Sequence, residues 1–160
     1  MCLSRKKNAD INNVKKIGDI TIRYTKKFVY FLDKNGKKGS ILSDFRNDIK
    51  KDLYDLKGEF IYVYFFVDRK LRITKKDSII YIGRSISVLQ ETYTRFLHEI
   101  YDNNDVTDNA KQYTLTHFYI NHIPMRLEVF FVQDAKKNET ELLVSHQKIF
   151  GYLPIANGRK

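Results

Sequence analysis

The sequence predicts an α+β fold: a small three-stranded antiparallel sheet flanked by helices, with a β-hairpin and a helix added in front of it. Phe60-Ile61-Tyr62-Val63-Tyr64-Phe65-Phe66-Val67 is the most apolar stretch of the chain. Its aromatic and β-branched content marks a strand buried on both faces. Ile79-Ile80-Tyr81-Ile82-Gly83 is a second such stretch, returned by a short charged segment. In other segments, apolar residues recur at the three- and four-residue spacing of a helix that faces a core.

The elements follow in order. Residues 1–17 read as a basic, polar arm without periodicity. Asp19-Ile20-Thr21-Ile22-Arg23-Tyr24 alternates apolar and polar residues, the pattern of a half-buried strand. Phe28 to Leu32 forms the next strand, and Asn35-Gly36 supplies a turn that tolerates positive φ, predicting a hairpin that returns over residues 37–41. Ser43 is the expected N-cap of a helix over residues 44–56, where Phe45, Ile49, Leu53 and Leu56 make one apolar stripe. Arg46, Lys50, Lys51 and Lys57 lie on its other side, and Gly58 ends it. This divides the chain into a basic N-terminal addition, residues 1–57, and a core, residues 58–160. After the two buried strands, a helix is expected over residues 87–101 with Leu89, Tyr93, Phe96, Leu97 and Ile100 inward, and a shorter one over 111–120. A third strand spans 125–133, and Asn138 opens a last helix reaching Phe150. The core order is thus β-β-α-α-β-α.

With 160 residues and 42% hydrophobic content, the chain can bury a sizeable core without staples. No apolar run approaches the roughly 20 residues that span a bilayer, and the basic start lacks the apolar segment of a signal peptide. No membrane partner is expected, and Cys2, the single cysteine, fits a reducing cytoplasm. It also excludes an intrachain disulfide and any multi-cysteine zinc site. The formal charge of +10 is unevenly placed: residues 1–57 hold 15 Lys/Arg against 7 Asp/Glu, and residues 58–160 hold 14 against 12. A basic surplus in the first third suits a polyanion, whose neutralised phosphates release counterions.

Phosphodiester hydrolysis needs a base for water, a cation for the charge that grows on phosphorus, and a carboxylate to hold a metal ion. Tyr62 and Tyr81 fall on the two adjacent strands, Arg84 follows Gly83, Arg95 lies in the next helix, Glu141 near the start of the last, and Asn157 near the end. That ordered set resembles the GIY-YIG nuclease family over residues 58–160. Phe60 stands where the family's first glycine would be, and the span between Tyr62 and Tyr81 is longer than its usual hairpin. The resemblance implies that Tyr62 or Tyr81 accepts the proton of the attacking water, and that Arg95 meets the charge on phosphorus. Glu141 would be the sole protein ligand of Mg²⁺ or another divalent ion such as Mn²⁺. Gly83, Arg84 and Asn157 would lie against substrate. His98, three residues after Arg95, is the candidate for assisting the base, with Glu99 four after; Tyr93 and Tyr101 compete with His98 for that role. Glu139 competes with Glu141 for the metal.

Each residue also has a plainer reading. The tyrosines suit a strand core, Arg95 a solvated helix face, and Asn157 beside Gly158 a turn. If Asn138 caps the last helix, Glu141 is placed to complete a capping pair. The expectation is a metal-dependent endodeoxyribonuclease of restriction type acting on double-stranded DNA, for which a homodimer would match a palindromic site. The alternatives are a non-catalytic nucleic-acid-binding module on the same fold, or a repair, phage or mobile-element nuclease.

Overall fold

A computed structural model describes residues 13–33, 41–67, 78–85, 99–101 and 109–158. Among these the chain forms six strands, β1 (Asn13–Ile17), β2 (Ile20–Tyr24), β3 (Lys26–Leu32), β4 (Phe60–Phe66), β5 (Ile79–Ser85) and β6 (Met125–Phe131). Three helices accompany them, α1 (Leu42–Leu53), α2 (Ala110–Ile120) and α3 (Ala135–Phe150). The fold is α+β with two antiparallel sheets: a β1–β2 ribbon and a four-stranded sheet in the order β3-β6-β4-β5.

The sheet therefore has four strands where three were expected. β3 pairs along its whole length with β6, from Lys26 opposite Phe131 to Leu32 opposite Met125. Its Tyr30 and Leu32 enter the same core as Phe60, Tyr62 and Tyr64. Among the described residues β1 and β2 form a hairpin closed by Gly18 and Asp19, with Gly18 at φ +58° in the position where a two-residue turn favours glycine. The return strand expected over residues 37–41 falls, except for Ile41, outside the described residues. Among the described residues, α1 and β3 share one core with β4, and Ile17 and Ile22 share the other.

β4 explains this arrangement. All seven of its residues are buried, so each face of the sheet needs a cover. Phe60, Tyr62, Tyr64 and Phe66 point to one face, where α1 supplies Leu42, Phe45, Ile49 and Leu53 and α2 supplies Leu115 and Tyr119. Ile61, Val63 and Phe65 point to the other, against Ala135 and Leu142 of α3 and the β1–β2 ribbon. The apolar stripe of α1 is as expected, but the helix begins earlier. Ile41 occupies the N-cap without a side-chain bond, and Ser43 lies inside the first turn. Truncating Phe45 to alanine in such a site costs about 3–5 kcal/mol through lost burial and the cavity left behind.

β4 and β5 pair regularly from Phe60 opposite Ser85 to Tyr64 opposite Tyr81, and the register then shifts so that Phe65 faces Ile79. Ile80 is the extra residue of a bulge. Ile80 and Tyr81 consequently belong to the same core, whereas strict alternation would send neighbouring side chains to opposite faces. The regular pairing up to Tyr64 already sets Tyr81 on the face that carries Tyr62, and the bulge turns Ile80 to that face as well.

Candidate active site at the β4–β5 edge

Tyr62 lies directly opposite Gly83, and Tyr81 lies diagonally across from it, with the two tyrosine rings 5.7 Å apart. A Cβ on Gly83 would sit 2.6 Å from both rings. Glycine is needed here because the tyrosines fill the space above it; the sequence reading had assigned that space to a substrate phosphate.

The polar ends of the tyrosines meet a buried charge pair. Tyr62 donates to Glu99 Oε1 at 3.0 Å, Tyr64 donates to Glu99 Oε2 at 2.8 Å, and Lys111 Nζ lies 2.6 Å from Oε1. Lys111 Nζ is also 3.5 Å from the Tyr62 hydroxyl and 5.2 Å from the centre of the Tyr81 ring. Glu99 is 1% exposed, so its carboxylate is out of water and satisfied by three donors. Burial, followed by the Glu99 charge, pushes the Tyr62 hydroxyl well above the ordinary phenol range; Tyr64 behaves alike for the same two reasons. Burial raises Tyr81 too, and Lys111, next in size, pulls it back. The contact between the two side chains adds to the rise at Tyr62 and opposes it at Tyr81.

Arg84 leaves β5 on the opposite face, toward α3. Its Nε donates to Glu139 Oε2 at 2.6 Å, and the Glu139 charge acts on the Tyr81 hydroxyl. Glu141, the residue preferred from sequence for the metal, is placed elsewhere. Its side chain is 48% exposed, 3.9 Å from Lys137, along a shallow groove with Asp19, Ile20 and Val144. The start of α3 accounts for the difference. The helix opens at Ala135, one turn before Asn138, with Asp134 as N-cap accepting from Lys137 N at 3.0 Å. Asp134 has φ +54°, a conformation that aspartate tolerates. Glu141 is therefore too far along the helix to complete the capping pair. Asn138 donates instead to the carbonyls of Gln133 and Asp134.

Asn157 meets the protein backbone. Its Oδ1 accepts from Ile82 N at 3.0 Å and its Nδ2 donates to Ile82 O at 2.8 Å, while Ala156 N donates to Ile80 O at 2.9 Å. Residues 156–157 thereby satisfy the outer edge of β5. Arg95 and His98, and with them most of the helix expected over 87–101, lie outside the described residues.

Glu99 and Lys111 were not assigned roles from sequence. Glu99 had a faint signal, standing one helical turn after Arg95; Lys111 had none, because the tyrosines it meets lie far away in the chain.

Among the described residues no group of three or more His, Cys, Asp or Glu side chains could hold a metal. Glu139 alone offers a carboxylate beside Arg84, with one oxygen engaged by Arg84 and its side chain 22% exposed. One carboxylate with room for water suits Mg²⁺ or Mn²⁺, which keep much of their hydration and bind through one or two carboxylates and phosphate oxygens. It does not suit a closed protein cage for zinc.

No protein-family model matches the chain, and no curated protein or solved structure matches it.

Proposed function

We propose that this protein is a divalent-metal-dependent endodeoxyribonuclease of restriction type that hydrolyses phosphodiester bonds in double-stranded DNA. The observation that carries this reading is the pairing of Tyr62 and Tyr81 across β4 and β5, one hydroxyl deep and one toward the surface, beside a fixed cation. Tyr81, the less buried of the two, is the group that meets the attacking water. Arg84 would serve the phosphate, where a guanidinium matches two oxygens at once, with Arg95 the second arginine that the resemblance names. Glu139, rather than Glu141, would hold Mg²⁺, because Glu139 lies beside Arg84 of β5. When bound, the ion supplies charge stabilisation at the phosphate and at the leaving oxygen. Asn157 supports β5 at Ile82, between Tyr81 and Gly83. The basic surface of α1, where Lys50 and Lys51 are exposed, and the basic first third of the chain lie along the DNA backbone. A homodimer would present two such sites to a palindromic sequence.

The competing reading is a nucleic-acid-binding module without chemistry. The Arg84–Glu139 ion pair favours it, since Arg84 neutralises the carboxylate proposed for the metal. Incubation of the purified protein with supercoiled plasmid separates the two. The nuclease reading expects nicked or linear DNA, and discrete fragments from phage DNA, with Mg²⁺ or Mn²⁺ and not with chelator. Intact plasmid under all metals, with retained DNA binding, would leave only the binding module.

A further inference from the structure

We propose that Lys111 is a further catalytic residue of this site, its ammonium donating a hydrogen bond to a non-bridging oxygen of the scissile phosphate. The inference rests on the nuclease reading for its substrate, and on donors and exposure for the residue. An ammonium carries three N–H donors. At Lys111 one goes to Glu99 Oε1 at 2.6 Å, and a second reaches the Tyr62 hydroxyl in a long bond of 3.5 Å. Among the described residues no third acceptor stands against the ammonium. Tyr81 offers it only the face of its ring, with the centre 5.2 Å away.

Solvent reaches Lys111 and Tyr81 and stops short of their neighbours. Tyr62, Tyr64 and Glu99 are 2%, 0% and 1% exposed, so no substrate touches them without unpacking the sheet. Lys111 keeps 17% of its side chain accessible, and Tyr81 is partly exposed. A phosphate whose attacking water stands at Tyr81 therefore comes within reach of Lys111. In the reaction the water oxygen bonds to phosphorus and gives up a proton. The sugar oxygen leaves with the electron pair of its bond to phosphorus and takes a proton up. Lys111 keeps all three of its own protons throughout and meets the charge that grows on the phosphate oxygen.

A lysine on an open surface would have to be ordered by its substrate. Here the order is already in place. Asn109 caps α2 and its Oδ1 accepts from Lys111 N at 3.0 Å, which fixes the root of the side chain, while Glu99 fixes its end. A donor held in place beforehand stabilises charge on the phosphate without reorganising as that charge grows. Glu99 also cancels the positive charge of Lys111 as seen from a distance. What Lys111 offers is a directed N–H at short range, so its loss should fall on the chemical step and hardly on the capture of DNA.

Two measurements test the assignment. In plasmid cleavage, Glu99→Gln/Lys111→Met removes both charges together and strands neither; it should lower kcat by about 100-fold at nearly unchanged KM. Lys111→Arg, which keeps a charged donor, should cut faster than this double variant. Near wild-type cleavage by the double variant would show that Lys111 only neutralises Glu99, and would overturn the proposal. So would a folded Glu99→Gln, its ammonium retained, that is as slow as the double variant, because the loss would then belong to Glu99. Independently of cleavage, the ammonium resonance of Lys111 in the wild-type protein should shift as inorganic phosphate is added, and not with chloride at the same ionic strength. A resonance that ignores phosphate, or answers chloride equally, means that no phosphate reaches the ammonium and the proposal is wrong. Wild-type protein that cuts no DNA under any metal, yet shows the phosphate shift, would defeat the nuclease reading and leave Lys111 as a phosphate-binding residue.

Discussion

Gly83 lies directly across the β4–β5 ladder from Tyr62, so the space a side chain would fill at residue 83 is occupied by the Tyr62 ring. Substituting Gly83→Ala forces the two tyrosines apart. Overpacking of this kind costs about 1–3 kcal/mol. The expected result is a lower urea midpoint and the loss of DNA cleavage. Gly83→Ala/Tyr62→Phe would recover little, because the clash involves ring carbon as well as the hydroxyl. Normal stability in Gly83→Ala would mean that the rings move aside freely.

Asn157 hydrogen-bonds both the N–H and the C=O of Ile82, as a neighbouring strand would. Asn157→Ala leaves both the N–H and the C=O of Ile82 without their partner, at about 1–3 kcal/mol for each group that water does not reach. Hydrogen exchange should show the Ile82 amide losing protection in this variant while amides in β6 keep theirs. Asn157→Asp should be intermediate, since a carboxylate still accepts from Ile82 N but cannot donate to Ile82 O. Unaltered exchange at Ile82 would remove Asn157 from the support of the strand.

The two glutamates of α3 should separate cleanly. Glu139→Gln is expected to abolish Mg²⁺-dependent cleavage and to leave DNA binding within a few-fold of wild type. Glu141→Ala, which alters only a half-exposed side chain paired loosely with Lys137, should cut at close to the wild-type rate. The reverse pattern in a plasmid assay would restore the assignment preferred from sequence spacing.

Alkaline pH should destabilise the fold steeply. Tyr30, Tyr62, Tyr64 and Tyr81 are all raised, chiefly by burial, with Asp52 adding to the effect at Tyr30. The unfolded chain ionises its tyrosines near pH 10, whereas the native state keeps these four protonated longer. The stability that they contribute is therefore complete below about pH 10 and declines as pH rises past it, by up to ~1.4 kcal/mol per pH unit for each tyrosine. Urea midpoints measured alongside tyrosinate absorbance would show it, and Tyr62→Phe should reduce the slope.

Much of the sheet was legible because β4 and β5 announce themselves by composition; Phe60, at the position of the family's glycine, simply packs between Tyr62 and Phe131. β1 was not, since Val14, Lys15 and Lys16 bury little, and only pairing with β2 makes them a strand. The place of β3 was hidden for another reason. Its partner β6 is about a hundred residues away, and no local pattern encodes such a pairing. Within the site, Tyr62 and Tyr81 could be paired from sequence, yet the bulge that adds Ile80 to the same face could not. Glu99 was passed over because its donors come from a strand 35 and 37 residues earlier and from the next helix. Glu139 and Glu141 differ by two positions, and the unexpected start of α3 at Asp134 goes with a placement of Glu139, not Glu141, beside β5.

The cover that Ala156 and Asn157 provide for β5 also bears on how the protein behaves at high concentration. An open strand edge is a template on which a second chain can polymerise. Here one rim of the sheet is blocked by the chain's own later residues, and the other, β3, carries Lys26 and Lys27 at its start. Loosening residues 156–157 would therefore expose an adhesive backbone, and strand exchange between copies would compete with folding.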